Sequence, residues 1–128
     1  GEAEAPRLLE DTAHSILFPD SLIKFLLGAK GAWVSEIRER ERANVDPVKD
    51  WEGGSRRKVG AFFYRTVYVG EVGSAFHKPK PLKPAAFAAV KQLLAERLEA
   101  GWVEKLRSDA RREQRPQRRS SGAAAAAA

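Results

Sequence analysis

Lys-Val-Gly-Ala-Phe-Phe-Tyr-Arg-Thr-Val-Tyr-Val, residues 58–69, is the clearest strand signal in the chain. β-Branched and aromatic residues favour strands, and successive side chains of a strand point to opposite faces. One face would carry Val59, Ala61, Phe63, Arg65, Val67 and Val69, and the other Gly60, Phe62, Tyr64, Thr66 and Tyr68. Both faces are therefore rich in apolar side chains, and a strand of this kind needs cover on each side.

Three short helices are predicted before this strand. Apolar residues recur at helical spacing through residues 6–18, and Pro19 forces a break. Residues 19–28 form a second predicted helix, because proline suits the first helical position and Gly28 suits the position after the last. Residues 32–42 combine apolar side chains with opposite charges at i, i+4 spacing, which predicts a third helix.

The rest of the chain is predicted to form connections and one long helix. Turn-forming residues dominate residues 44–55, and residues 72–76 are a candidate for one further short strand. Three prolines make residues 77–84 an extended connector. A helix then begins at Pro84 and has an apolar stripe with a repeat of four residues. This stripe consists of Val90, Leu94, Leu98, Trp102 and Leu106.

These elements predict an α+β fold that is mostly helical. It has three short N-terminal helices, one strand or hairpin, and a long C-terminal helix with a basic arm. A chain of 128 residues has room for one domain. We assign residues 1–5 to a flexible N-terminus, residues 6–106 to a single small domain, and residues 107–128 to a basic arm and low-complexity tail.

The excess positive charge is concentrated in the C-terminal arm. The chain carries a net charge of +6, and residues 107–119 hold six arginines against Asp109 and Glu113, a net charge of +4. Such an arm favours an acidic protein, RNA or an anionic lipid headgroup. A second cluster of cations follows a Gly-Gly turn, where freed backbone amides favour oxyanions. The predicted anion-binding residues are Arg56, Arg57, Lys58, Arg111, Arg112 and Arg115.

The composition argues against several classes of function. The chain has no cysteine, so disulfides and thiolate chemistry are excluded. Its two histidines, His14 and His77, have no nucleophile and carboxylate at spacings that indicate a triad. The acidic residues alternate with arginines and do not gather at metal-ligand spacing. We therefore expect no catalytic site, metal or cofactor, and no apolar run reaches the ~20 residues of a membrane-spanning helix.

One partial resemblance to a known family covers about half of the chain. The segment Ile16-Leu17-Phe18-Pro19, the apolar segment after it, Trp51 with residues 53–57, and the strand from Phe62 to Tyr68 resemble the opening of the VASt domain. That family has a START-like helix-grip fold. The resemblance therefore implies several further strands around a cavity for a sterol or another lipid. In this chain a proline connector and a terminal helix follow the strand instead.

The predicted function is structural. A two-faced apolar strand, three tryptophans and a striped helix offer more apolar surface than a small chain readily buries. We expect a non-catalytic accessory subunit of a large assembly, for example a mitochondrial respiratory complex or ATP synthase. The predicted partner-binding residues are Phe62, Tyr64, Tyr68, Leu98 and Trp102. The alternatives are a ribosomal or mitoribosomal protein that contacts RNA and a small START-like lipid-binding domain. The basic charge and the start without methionine favour an organelle, with the mitochondrion first.

Overall fold

Strand β5 (Phe62–Glu71) is the centre of a five-stranded antiparallel sheet. The computed structural model describes residues 4–49, 56–74, 78 and 80–113. Along one edge, β5 pairs with β2 (Ser15–Pro19), so that Ile16 lies opposite Val67. Strand β1 (Leu9–Thr12) pairs with the other side of β2 and forms a hairpin with it.

The second edge of β5 is shared by two strands that follow one another. Strand β3 (Ala43–Pro47) pairs with β5 at its C-terminal end, where Val45 lies opposite Val69. Strand β4 (Arg56–Val59) pairs with its N-terminal end, where Lys58 lies opposite Phe63. Because β2 covers the middle of β5, these two strands lie on the opposite edge from β2.

In the described residues, three α-helices enclose the core with the sheet. A short 3-10 turn (Asp20–Leu22) leads into α1 (Ile23–Leu27), which is followed by α2 (Ala32–Glu41) and, at the C-terminus, by α3 (Pro84–Glu113). The buried core consists of Ile16, Phe18, Leu22, Ile23, Leu26, Ile37, Ala43, Val45, Val67, Val69, Val90, Leu94 and Leu98. The helices thus bury the face of β5 that carries Val67 and Val69. The chain itself therefore supplies the cover predicted for that face.

The predicted helix over residues 6–18 is wrong, because this segment forms the β1–β2 hairpin. Polar side chains stabilise the turn instead of a helix: the Thr12 and Ser15 hydroxyls are 2.6 Å apart, and Ser15 donates to Asp11 at 3.0 Å. Short polar side chains of this kind compete with helical hydrogen bonds. The five residues of β2 are all buried, which the pairing with β5 makes favourable.

The mostly helical fold class is wrong as well, because the sheet has five strands and not one strand or hairpin. Strand β3 occupies the start of the stretch predicted to be irregular, residues 44–55, of which residues 50–55 lie outside the described residues. The short strand predicted over residues 72–76 does not form at residues 72–74, the part of it that the structure describes, because β5 ends at Glu71. The helices predicted at residues 19–28, at residues 32–42 and from Pro84 are confirmed.

Helix α3 is the longest element, with 30 residues. Its predicted stripe is buried at Val90, Leu94 and Leu98 and exposed at Leu106, so the helix leaves the core near its C-terminal end. Within the described residues, no helix combines the length and the apolarity needed to cross a bilayer, as the sequence indicates.

Gly101 allows α3 to approach α1 closely. A Cβ atom at this position would lie 2.7 Å from Cδ2 of Phe25 and 3.2 Å from its Cγ. In an exposed helix, Gly101→Ala would stabilise by about 1 kcal/mol through helix propensity. Here we expect it to lower the free energy of unfolding by about 1 kcal/mol, because displacing a packed ring costs ~1–3 kcal/mol.

Urea unfolding of Gly101→Ala in two backgrounds tests this explanation. In a Phe25→Ala background the obstructing ring is gone, so the same substitution should stabilise the protein. An equal effect of Gly101→Ala in both backgrounds would show that Phe25 is not the cause.

Candidate nucleic-acid interface at the glycine loop

The connection between α1 and α2 is the sequence Gly-Ala-Lys-Gly, residues 28–31, which we call the glycine loop. Three of its residues have positive φ: Gly28 at 80°, Lys30 at 54° and Gly31 at 74°. The backbone N–H of Gly28 donates to the carbonyl of Lys24, and that of Gly31 donates to the carbonyl of Gly28, each at 3.0 Å. The loop therefore reverses the chain tightly between two helices.

Gly28 fixes the loop against the beginning of α2. Its backbone, with φ 80° and ψ 173°, lies in a region that is open essentially to glycine alone. A Cβ atom there would also lie 2.9 Å from the backbone nitrogen of Trp33. Gly31, by contrast, has the commoner left-handed conformation, and the nearest atom to its Cβ would be Cγ2 of Val34 at 4.0 Å.

The loop leads directly into the N-terminus of α2, a helix of ten residues. The first N–H groups of an α-helix lack partners within the helix, and this end carries a partial positive charge. Gly31 is the N-cap and supplies no side-chain cap, and the first turn contains no acidic residue. The N–H of Gly31 already donates to Gly28 and that of Ala32 to Ala29, so the positive end of the α2 dipole, rather than these two amides, favours an oxyanion such as phosphate.

Cations surround a cavity of about 670 Å³ beside the loop. Its lining consists of Lys24, Phe25, Leu27, the four loop residues and Arg97. All the charged residues in this lining are positive: Lys24, Lys30 and Arg97. A second cavity of about 680 Å³, between α2 and the start of α3, is lined by three acidic and three basic side chains. Charge therefore makes the loop cavity, and not the second one, the better site for a polyanion.

Arg97 of α3 connects the third helix to the loop. Its Nε and Nη2 atoms donate to the backbone carbonyl of Phe25, at 3.0 and 2.6 Å. Its guanidinium lies 3.9 Å from the Phe25 ring centroid and 5.1 Å from that of Trp33. Burial lowers the pKa of Arg97 below its ordinary value, while the nearby Glu36 opposes this shift. Arginine stays charged in proteins, so a cation is held at the end of α1.

The predicted partner-binding residues contribute largely to internal packing. Tyr64 and Leu98 are both 3% exposed. Phe62 and Trp102 are half-buried and contact each other edge to face, with ring centroids 5.8 Å apart. Tyr68 is half-buried. A role of these five residues in binding a partner stays a prediction.

The predicted anion-binding residues lie on two different elements. Arg56, Arg57 and Lys58 are exposed on β4, Arg111 and Arg112 belong to the last turn of α3, and Arg115 lies outside the described residues. Arg111 contacts Glu104 at 3.5 Å and Arg112 contacts Asp109. Helix α3 also continues past residue 106, so the start of the predicted arm is helical.

Sequence reasoning missed the glycine loop and Arg97. The signal for the loop is present, because Gly28 and Gly31 flank a lysine at the point where one helical pattern ends and the next begins. Gly28 alone predicts the helix end. Gly31 is the further signal that a short glycine loop connects the two helices. No local signal marks Arg97, since only the packing of α3 against α1 brings it to the loop.

Comparison with known proteins does not add a relative. No family model matches the chain, and no curated protein or solved structure matches it either. The likeness to the VASt family therefore stays a resemblance in the residues that carry it. Within the part of the chain that the structure describes, no three His, Asp or Glu side chains are grouped so that they could hold a metal ion.

Alanine at the two loop glycines should have unequal effects. Both substitutions place a side chain at positive φ, at a cost of roughly 1–3 kcal/mol. Only Gly28→Ala also places a Cβ against the Trp33 backbone. We expect Gly28→Ala to lower the free energy of unfolding by at least ~1 kcal/mol more than Gly31→Ala, measured by urea unfolding. Equal losses would mean that the close contact at Gly28 is relieved without cost.

Proposed function

We propose that this protein binds single-stranded nucleic acid and that the glycine loop holds the phosphate backbone. This is the RNA-contacting alternative of the sequence analysis, with a different site. The observation that carries the proposal is the loop between α1 and α2, where the positive end of the α2 dipole meets three cations and no acidic side chain lines the described cavity.

The pattern of the loop supports the same conclusion. KH modules bind single-stranded RNA with a GXXG loop that clamps the backbone of about four nucleotides. Residues 28–31 have this pattern, with a lysine at the second variable position. Glycines at both ends let a backbone approach closely, and Lys30 is exposed at the turn, where it can meet a phosphate.

The three cations around the open loop cavity favour a strand, which carries several phosphates, over a single small anion. The loop cavity is open and is lined on one side by the apolar parts of Phe25 and Leu27. Phosphates would contact the exposed ammonium groups of Lys24 and Lys30. Arg97 is held in place by its hydrogen bonds to the Phe25 carbonyl, and it would add positive potential. Contacts of this kind hold a strand with little regard for sequence.

A matched pair of charge reversals tests the proposal. Lys30→Glu and Lys83→Glu change the net charge equally, and Lys83 lines the cavity with balanced charge. We expect Lys30→Glu to weaken binding of a labelled single-stranded RNA about tenfold at low salt and to reduce the salt slope by about 0.7, as for one lost phosphate contact. Lys83→Glu should change both little.

Fluorescence anisotropy over a range of salt concentrations measures both quantities. A duplex of the same sequence should compete weakly for the site. Binding that does not depend on salt, or equal losses in the two variants, would contradict the proposed site.

A second candidate function is the accessory subunit of an organellar assembly. It is favoured by Val103 and Leu106 of α3, which are 46% and 47% exposed and are neighbours at i, i+3 spacing. A partner protein could cover them. We propose no lipid-carrying role, because fully buried side chains such as Phe18, Leu26 and Leu94 fill the space between sheet and helices.

Purification of the native protein with its partners separates the two candidates. If the chain is held by RNA, nuclease treatment should release the associated proteins. If it is an assembly subunit, they should remain after nuclease and be lost with a Val103→Gln, Leu106→Gln double variant. Retention by that variant would contradict docking through this part of α3.

A further inference from the structure

The hairpin of β4 and β5 carries an exposed aromatic ring among cations. Lys58 lies directly opposite Phe63, and Arg56 lies opposite Arg65. Residues two apart on a strand share a face, so these four side chains occupy one face of the hairpin. Phe63 is 48% exposed, the largest exposed fraction among the apolar side chains of β5.

Two of these cations lie close to the Phe63 ring. The guanidinium carbon of Arg56 is 5.0 Å from the ring centroid and Nζ of Lys58 is 5.9 Å from it. Both side chains are exposed. We call Arg56, Lys58 and Phe63 the hairpin patch. It combines the two features with which proteins hold a single strand, an aromatic platform and positive charge along the backbone.

Acidic neighbours neutralise only part of this charge. Asp20 contacts Arg65 at 2.6 Å and Arg56 at 3.5 Å. The Nζ atom of Lys58 lies over the Phe63 ring. Among the described residues, Asp20 is the carboxylate that contacts this face, and the exposed cations Arg56 and Lys58 lie beside the ring. This charge distinguishes the patch from an apolar docking surface, in which charged residues are depleted from the core.

We propose that the hairpin patch is a second contact for the same single strand, in which a base stacks on the exposed part of Phe63. Arg56 and Lys58 then contact the phosphates on either side of that base. The inference rests on the proposed function, because it assigns the same ligand to a second site. It also predicts a property that the glycine loop lacks, namely a requirement for the base itself.

Strands with and without bases test the two sites separately. The probes are a labelled oligothymidylate of about 10 nucleotides, within the usual range of site sizes, and an abasic strand of equal length. Phe63→Leu keeps an apolar side chain and removes the ring. We expect it to weaken binding of the oligothymidylate roughly tenfold and to leave binding of the abasic strand unchanged. Phe63→Tyr should restore binding.

The glycine-loop variant provides the matched comparison. Lys30→Glu should weaken binding of both strands, because it removes a phosphate contact. If Phe63→Leu leaves oligothymidylate binding unchanged, or weakens both strands equally, stacking on Phe63 is wrong while the loop proposal stands. If only Phe63→Leu has an effect, the loop proposal is wrong and the patch stands. If neither strand binds the wild-type chain, both proposals are wrong, and a protein partner becomes the explanation for the patch.

Discussion

The pairing of β5 on both edges is the constraint on which the rest of the structure depends. Strand β2 on one edge leads into α1, and α2 leads into β3 on the other edge. The glycine loop lies between these helices, so both sides of the loop are anchored to the same central strand. The N-terminal part of β5 forms the hairpin with β4. Strand β5 thus anchors both candidate contacts to nucleic acid, the glycine loop through β2 and β3 and the hairpin patch directly.

Close packing between α3 and α1 then gives the loop its charged surroundings. Gly101 admits the ring of Phe25, and Arg97, one helical turn earlier, binds the carbonyl of the same residue. The carbonyls at the end of a helix need partners, and here a guanidinium serves as one. A cation is therefore fixed at the C-terminal end of α1, where it is also favourable for the helix dipole. The hydrogen bonds from Arg97 to the Phe25 carbonyl thus both stabilise the end of α1 and fix a positive charge beside the loop.

Elements with local signals could be predicted from the sequence, and those decided by distant pairing could not. Glycine stops and apolar spacing were sufficient for α1, α2 and α3, and β-branched residues for β5. Residues 6–18 also show apolar spacing, yet residues 15–18 pair with β5, far along the chain, and residues 9–12 pair with them as β1. The site divides in the same way. Gly31 is readable in sequence, whereas the role of Arg97 and the exposure of Phe63 depend on which faces the helices cover.

The placement of charge gives the strongest reason to expect a polyanion at the loop. Many cations of this chain lie beside acidic side chains, as Arg40 beside Glu36 and Arg111 beside Glu104. Exposed pairs of this kind contribute little stability, and they leave little potential for a ligand. Lys24, Lys30 and Arg97 line a cavity with no acidic side chain in its lining, and Glu36, near Arg97, offsets only part of this positive charge. Each phosphate contact is weak in salt, so a strand that reaches both the loop and the hairpin patch would gain affinity through the second, intramolecular contact.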